Sequence, residues 1–317
     1  MRVRFWGVRG SSPAPLGPEV IRGKIAAALQ RVKPHDLVNS ETRQRFLNSL
    51  PPGIFGTTGG NTPCVEVRSA QGCVVVFDAG TGLREMEKWI RRTRQKITEY
   101  HIFISHFHYD HILGIPYFGA LYDPNVKVTF YSPYPAMERI LRKFMEVPYH
   151  PVDWDSFNAR TEFRILKRNE ELLLGGMKIY WIRRNHPNGC ISYKCVEAGR
   201  SFIYSTDTEL TPRDFERTPK NVKYFQDADV IVLDAQYTLG EAIEKYNWGH
   251  SSYSLAVEFV REFSIRKLYM FHHDPLNDDA HLEGILRSAR WFDSRLEHHS
   301  SGPLDIELAR EGHEFEL

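Results

Sequence analysis

The sequence predicts an α/β fold in which buried strands end on polar side chains. Short apolar runs rich in Val, Ile and Phe recur along the chain, at 73–77, 101–104, 202–204, 230–233 and 268–271. Continuous apolar runs of this length are typical of strands that are buried on both faces. Between them, residues 82–95 and 251–263 carry apolar side chains at helical spacing. Strands and helices that alternate in this way indicate an α/β fold.

The composition is that of a folded protein with a hydrophobic core. Of the 317 residues 42% are hydrophobic, which is enough for a core and excludes disorder of the whole chain. Lys and Arg number 41 against 40 Asp and Glu, so the net charge of +1 argues against bulk electrostatic binding to nucleic acid or membranes. The length admits two domains or one domain with insertions, and we expect a single domain over residues 1–317.

Targeting signals and membrane spans are not expected. The first residues lack the apolar run of a signal peptide, and no stretch approaches the roughly 20 apolar residues of a membrane helix. The four cysteines are too few and too scattered for a disulfide framework, which favours small buried thiols in a reducing compartment. We therefore expect a cytoplasmic protein with no membrane partner.

Two segments have the composition of insertions. Residues 13–57 begin and end in prolines and contain two helical patterns, which predicts a helical N-terminal insertion. Residues 133–165 mix prolines with aromatic residues, and the segment is either a packing element or a lid that contacts the substrate. The aromatic residues in question are Phe144, Tyr149, Trp154 and Phe157.

The strongest functional signal follows the run at 101–104. His106, His108, Asp110 and His111 lie within six residues, directly after a predicted strand. Neutral imidazole and carboxylate are the usual ligands of zinc and similar divalent metals. The alternative, a surface histidine cluster, is disfavoured by the buried strand that precedes these residues. The segment therefore predicts a metal site.

Further metal ligands are expected at the ends of other strands. His186 follows the strand-like segment 178–182, Asp207 follows 202–204, and His272 follows 268–271. In α/β proteins the carboxyl ends of the strands gather at one edge of the sheet, where functional sites form. These three side chains are therefore candidates to complete a site that holds two metals.

The order and spacing of these residues resemble the metallo-β-lactamase superfamily over most of the chain. Three further segments support the resemblance: Asp78-Ala-Gly80 is similar to its acidic turn, residues 5–13 are similar to its opening segment, and residues 55–64 are similar to the GGNT-type turn of its phosphodiesterase-like members. Those members include tRNase Z and the cyclic phosphodiesterases. The resemblance implies an αββα sandwich of two mixed sheets faced by helices, with two metals at one edge.

The resemblance also assigns the ligands. It implies a first metal held by His106, His108 and His186, and a second held by Asp110, His111 and His272, with Asp207 bridging both. His273 competes with its neighbour His272 for the last position. Asp78 is expected to brace the metal-binding turn rather than to bind metal. The nitrogen and oxygen ligands favour two Zn2+ ions, with Mn2+ or Fe2+ as alternatives.

These residues predict a dinuclear metal-dependent hydrolase, and first a phosphodiesterase that acts on a small or cyclic phosphodiester or nucleotide. Asp110 and His250 are the candidate catalytic residues. His250 is the candidate proton donor and needs a nearby carboxylate, for which Glu209 is available; the alternative is a surface histidine near a helix start. Ser251, Ser252 and the turn at 59–62 are candidate phosphate contacts, although that turn is equally well explained by glycine geometry alone.

Two other functions share the same metals. One is hydrolysis of a carbonyl ester, lactone, thioester or β-lactam. The other is RNA processing as in tRNase Z, with 13–57 as an arm that holds RNA, although that segment contains only six Lys and Arg against three Asp and Glu. A small-molecule substrate is therefore preferred to nucleic acid, and the aromatic insertions offer a contact for a homodimer.

Overall fold

The computed structural model describes residues 1–296 and 302–317, and within them the chain forms two seven-stranded β-sheets. The first sheet contains β1 (Arg2–Gly7), β2 (Cys64–Arg68), β3 (Val74–Phe77), β4 (Glu99–Phe103), β5 (Lys127–Ser132), β6 (Arg160–Ile165) and β14 (Glu314–Glu316). The second contains β7 (Leu172–Leu174), β8 (Met177–Arg184), β9 (Cys190–Glu197), β10 (Arg200–Ser205), β11 (Val230–Asp234), β12 (Lys267–Phe271) and β13 (Asp305–Leu308).

Both sheets are mixed. The first has the order β14-β1-β2-β3-β4-β5-β6, antiparallel from β14 to β3 and parallel from β3 to β6. The second has the order β13-β12-β11-β10-β9-β8-β7, parallel from β13 to β10 and antiparallel beyond. The predicted strand segments are all present, and the parallel halves bring their carboxyl ends to a common edge.

Helices cover the outer faces of the sheets. In the described residues they are α1 (Pro18–Leu29), α2 (Ser40–Ser49), α3 (Gly82–Arg92), α4 (Tyr109–Ile112), α5 (Met137–Phe144), α6 (Pro219–Phe225), α7 (Leu239–Glu244), α8 (Tyr253–Glu262) and α9 (Asp279–Asp293), together with short 3-10 turns. Across the residues described, no helix combines the length and the apolar character needed to cross a bilayer.

Three apolar layers hold the sandwich together. Between the sheets, the ring of Phe77 from β3 stacks on Tyr204 at 5.4 Å and on Tyr193 at 5.5 Å. A second cluster lies between the first sheet and α3, and a third between the second sheet and α8 and α9. Two helix layers outside two packed sheets confirm the αββα architecture.

The segment 13–57 is helical, as predicted, and one buried ion pair fastens it to the body of the protein. The ammonium of Lys24 in α1 contacts the Asp279 carboxylate at 2.6 Å and also donates to the backbone oxygens of Gly53 and Gly56. In α1 none of the apolar residues of the helical pattern is buried. Ile25 and Leu29 are 57% and 66% exposed.

The aromatic residues of 133–165 divide into two groups. Trp154 is buried, with ring centroids 5.5 Å from Phe130 and 5.1 Å from Phe157. Phe144 and Tyr149 instead line a cavity at the edge of the sandwich. The segment is therefore a packing element at one end and a cavity wall at the other.

Candidate metal centre

The histidine motif occupies the turn between β4 and α4. His106 is buried after the strand, His108 is the partly exposed residue before the helix, and Asp110 and His111 are buried in the short helix itself. Five residues separate the end of β4 at Phe103 from the start of the four-residue helix at Tyr109. The turn directs all four side chains toward one edge of the sandwich.

The first group of side chains consists of His106, His108, His186 and Asp207, whose candidate ligand atoms all lie within 4.8 Å of one another. His186 Nε2 is 3.2 Å from His108 Nδ1. Asp207 Oδ2 is 3.6 Å from His106 Nε2 and 3.7 Å from His186 Nε2. Four donors from three separate parts of the chain thus meet at one point.

The second group consists of Asp110, His111, His272 and the same Asp207. His111 Nε2 and His272 Nε2 each lie 3.2 Å from Asp110 Oδ2 and 3.2 Å from Asp207 Oδ1. Asp207 therefore turns one carboxylate oxygen toward each group. All seven residues that the sequence nominates as ligands come together, in the two groups that the resemblance implies.

The donor set fits divalent cations. His106 Nε2 is buried and has no hydrogen-bond partner in the part of the chain that the structure describes, and the equally buried His111 Nε2 faces only the carboxylate oxygens of Asp110 and Asp207. A buried imidazole nitrogen without a partner is costly, because it gives up water and receives nothing in exchange. Both nitrogens face carboxylate oxygens across a space lined by further imidazoles. Such a mixed nitrogen and oxygen set suits zinc, manganese or iron.

Asp78 holds this arrangement from behind. Its carboxylate accepts hydrogen bonds at 2.7 Å from the Ser105 hydroxyl, the Tyr204 hydroxyl and the Ser105 backbone N–H, and it contacts His111 Nδ1 at 2.7 Å. It is fully buried and its backbone is left-handed, with φ of 59°. These contacts orient His111 Nε2 toward the second group, which is the bracing position expected for Asp78.

Two other imidazoles are oriented through their second nitrogens. His186 Nδ1 lies 2.9 Å from the Gly249 backbone oxygen, and His272 Nδ1 lies 3.0 Å from Gln236 Oε1. Gly249 has φ of 91°, and a Cβ atom there would overlap the His186 ring. A Cβ atom at Gly10 would overlap the His272 ring in the same way. Backbone packed this closely fixes the rotamers of both imidazoles.

The structure separates the two adjacent histidines. His272 adopts a left-handed conformation with φ of 60°, which is rare for a histidine, and turns into the second group. His273 points away and its Nε2 lies 2.9 Å from the Ala309 backbone oxygen. Burial lowers the pKa of His273 to about 3, so this ring is a neutral part of the core.

His250 has a carboxylate partner, but the prediction of Glu209 is wrong. The partner is Asp234, at the end of β11, whose Oδ2 lies 2.6 Å from His250 Nδ1. Burial opposes the charged imidazole, but Asp234 outweighs it and raises the pKa of His250 to about 9. Glu209 instead accepts hydrogen bonds from the backbone N–H groups of Asn247 and Gly249 and shapes the loop before His250.

The candidate phosphate contacts are engaged within the protein. The Ser251 hydroxyl accepts from the Leu210 N–H, and the Ser252 hydroxyl caps α8 by accepting from the Leu255 N–H. In the turn at 59–62, the side-chain amide of Asn61 donates to Glu311 at 3.0 Å. The two hydroxyls and this turn therefore make structural contacts within the protein. For the turn, this agrees with the alternative that its role is structural rather than phosphate binding.

A cavity of about 940 Å³ opens over both groups. One side of the cavity is lined by candidate metal ligands and by the candidate proton donor: Asp207, Asp110, His108, His272 and His250. The ring of His250 stacks on that of His272, with centroids 4.8 Å apart. A ligand in the cavity would thus meet the metal-binding side chains and His250 together.

Comparison with known proteins agrees with this geometry. Residues 74–273 match the family model of the β-lactamase superfamily domain. The ribonuclease Z of Archaeoglobus fulgidus is 24% identical over 277 residues, which cover 69% of this chain and 85% of that protein.

Two solved structures share the fold over nearly the whole chain. The metallo-β-lactamase fold protein YhfI of Bacillus subtilis has a TM-score of 0.64 at 14% identity, covering 99% of this chain and 98% of its own. A diphosphatase of the PhnP family has a TM-score of 0.62 at 20% identity, covering 100% and 97%.

The matched region includes 200 of the 317 residues and all of the ligand candidates. The chain therefore belongs to the metallo-β-lactamase superfamily, in the branch related to tRNase Z and the phosphodiesterases. Its class is that of the metal-dependent hydrolases.

Proposed function

We propose that the protein is a dinuclear phosphodiesterase that hydrolyses a small phosphodiester. The observation that carries this proposal is the position of Asp207, whose two oxygens face two separate groups of histidines at the floor of one cavity. A phosphodiester is anionic and repels a nucleophile, so a site that concentrates positive charge suits it. One relative is named ribonuclease Z and one structural neighbour is named a diphosphatase; both names denote hydrolysis of phosphate linkages, which supports a phosphate-containing substrate.

In this proposal the two groups hold one divalent cation each, with Asp207 common to both. When bound, the cations lower the pKa of a coordinated water and neutralise charge on the scissile phosphate. We propose Zn2+ as the resident metal, because imidazole ligands predominate, and keep Mn2+ and Fe2+ as alternatives. The protein orients the imidazoles through Asp78, Gln236 and the Gly249 carbonyl.

His250 is the proposed proton donor to the leaving oxygen. Its Nδ1 is bonded to Asp234, which leaves Nε2 free to carry the proton that the leaving group needs. The pKa of His250, raised to about 9 by Asp234 in spite of burial, keeps this proton in place at neutral pH. Asp234 also accepts from the Ser251 N–H, so it fixes both the charge and the position of the donor.

RNA cleavage is the second candidate, favoured by the similarity to ribonuclease Z. The geometry of 13–57 weighs against that segment as an RNA-holding arm. Three of its six cationic side chains form ion pairs: Arg22 with Glu19, Arg45 with Glu41, and Lys24 with Asp279. The unpaired positive charge available for RNA phosphates is therefore small.

The test is hydrolysis of bis-p-nitrophenyl phosphate by protein reconstituted with zinc, manganese or iron, with metal content measured on the same samples. We expect activity with two bound metal ions per chain and its loss in His108→Ala. His313→Ala is the control, because His313 belongs to neither group of candidate ligands and its Nε2 contacts the Tyr269 hydroxyl instead. If none of the three metals supported phosphodiester turnover, the proposal would be contradicted. Turnover of carbonyl esters alone would show instead that the protein hydrolyses a carbonyl substrate.

A further inference from the structure

Beyond the metal-binding side chains, much of the wall of the cavity is apolar. Its apolar residues are Phe107, Ile112, Leu113, Pro116, Ile140 and Phe144. A phosphodiester group is hydrophilic and gains nothing from such a surface, whereas an ester arm attached to it does. The volume of about 940 Å³ lies at the upper end of the range of roughly 300–1,000 Å³ for small-molecule sites, so an arm of nucleoside size has room.

Aromatic rings face one another across this wall. The centroids of Tyr109 and Phe144 are 6.1 Å apart, and those of Tyr117 and His150 are also 6.1 Å apart. One ring of each pair comes from residues 109–117 and the other from the middle of the segment 133–165. Rings in such positions gain energy from stacking or edge contact with a planar group. The wall therefore favours a planar aromatic arm.

One unpaired cation lies in the same wall. Lys143 of α5 is the sole lysine or arginine among the described residues that line the cavity, and it forms no ion pair with a described carboxylate. The neighbouring Arg142 differs, because it pairs with Glu138 at 2.9 Å and with Asp155 at 2.8 Å. An ammonium without a partner attracts an anionic group on whatever enters the cavity.

From these observations we propose the substrate class: a phosphodiester that carries a planar aromatic arm and a second anionic group, with Phe144 and Lys143 as specificity-determining residues. This inference rests on the proposed phosphodiesterase function. The aromatic arm lies along the wall beside Phe144, and the second anionic group meets Lys143, while the scissile phosphate lies over Asp207 and its neighbours.

The experiment compares three p-nitrophenyl phosphodiesters: the methyl ester, the thymidine 5′-ester, and the thymidine 5′-ester that also carries a 3′-phosphate. We expect kcat/KM to rise along this series, by about tenfold at each step, as the arm and then the second charge are added. Equal kcat/KM for the methyl and thymidine esters, with clear turnover of both, overturns the inference and leaves the phosphodiesterase function standing.

Variants divide the effect between the two residues. Lys143→Gln should remove the preference for the 3′-phosphate and keep that for thymidine, and Lys143→Arg should restore it. Phe144→Ala should reduce the preference for thymidine. Arg139→Gln is the matched control, because Arg139 is an exposed cation on the same helix that lies outside the cavity. A Lys143→Gln variant that behaves like Arg139→Gln overturns the role of Lys143.

Binding distinguishes the two proposals if no ester is hydrolysed. Calorimetric titration of the protein with thymidine 3′,5′-bisphosphate should give a Kd about tenfold tighter than for thymidine 5′-monophosphate, and Lys143→Gln should abolish the difference. That result, without turnover, supports the cavity assignment and removes the phosphodiesterase function. Equal affinity for the two nucleotides contradicts the cavity assignment.

Discussion

The pairing of Asp234 with His250 makes a quantitative prediction for Asp234→Asn. With a pKa of about 9, His250 is about 90% protonated at pH 8. If the substitution returned the pKa to its ordinary 6.5, about 3% would remain protonated, a loss of about 30-fold. The difference of 2.5 between 9 and 6.5 corresponds to about 3 kcal/mol, which is the net of burial, which lowers this pKa, and of the carboxylates of Asp234, Asp207 and Asp110, which raise it, with Asp234 the strongest of the three.

The sign of the pH effect follows from the role. A proton donor acts only while protonated, so activity falls as pH rises through its pKa. For an alkyl ester, whose leaving oxygen needs the proton, we expect the alkaline limb of kcat/KM near pH 9 in the wild type and at or below about pH 6.5 in Asp234→Asn. Asn keeps an oxygen for the Ser251 N–H but loses the oxygen that accepts from the Thr208 N–H, so thermal stability should fall modestly while metal content changes little.

Two esters with the same arm separate proton donation from other damage. Thymidine 5′-(p-nitrophenyl phosphate) has a leaving group that needs no proton, whereas thymidine 5′-(ethyl phosphate) releases an alkoxide that does. Release of thymidine 5′-monophosphate measures both reactions. Asp234→Asn and His250→Ala should slow the ethyl ester by a much larger factor than the p-nitrophenyl ester. Equal losses on both esters, or an unmoved alkaline limb, would refute the donor role of His250.

Three further substitutions test the site and its support. Asp207→Ala should lower the metal content of both groups and abolish activity, since its two oxygens face both, as elemental analysis would reveal. Asp78→Asn should weaken metal affinity by roughly 10–100-fold in a chelator competition, while the neighbouring core stays folded by circular dichroism. Lys24→Met should speed proteolysis within 13–57, because it removes the ion pair with Asp279. Lys24 and Thr58 lower the pKa of Asp279 in spite of its burial, so the wild-type segment should also be cleaved faster as pH falls through the acid range. Equal cleavage at all pH values would contradict this.

The sequence located the candidate metal ligands because their signal is local. His106, Asp207 and His272 each follow an apolar run, and the topology of parallel strands brings such ends to one edge. Asp234 also ends an apolar run, but a single carboxylate has no spacing motif that reveals its partner. Its contact with His250 depends on how the loop before α8 returns to the sheet, which no short pattern records.

Backbone conformation and burial explain the other differences. Three site residues have left-handed backbone: φ is 59° at Asp78, 44° at Asp207 and 60° at His272. An aspartate or histidine in the sequence does not predict this conformation, whereas a glycine would. The choice between His272 and His273 depends on that turn. In the same way, composition could not separate Trp154, which is core, from Tyr149, which lines the cavity.

The division of the segment 133–165 has a consequence for how readily the specificity of this protein can be changed. Trp154, held against Phe130 and Phe157, anchors the segment, and its replacement by Ala should cost about 3–5 kcal/mol of stability. The cavity-facing residues Lys143 and Tyr149 are exposed, so their replacement should cost about 0.5 kcal/mol or less. New substrate preferences can therefore be selected at these two positions, by evolution or in a library, with little loss of folded protein.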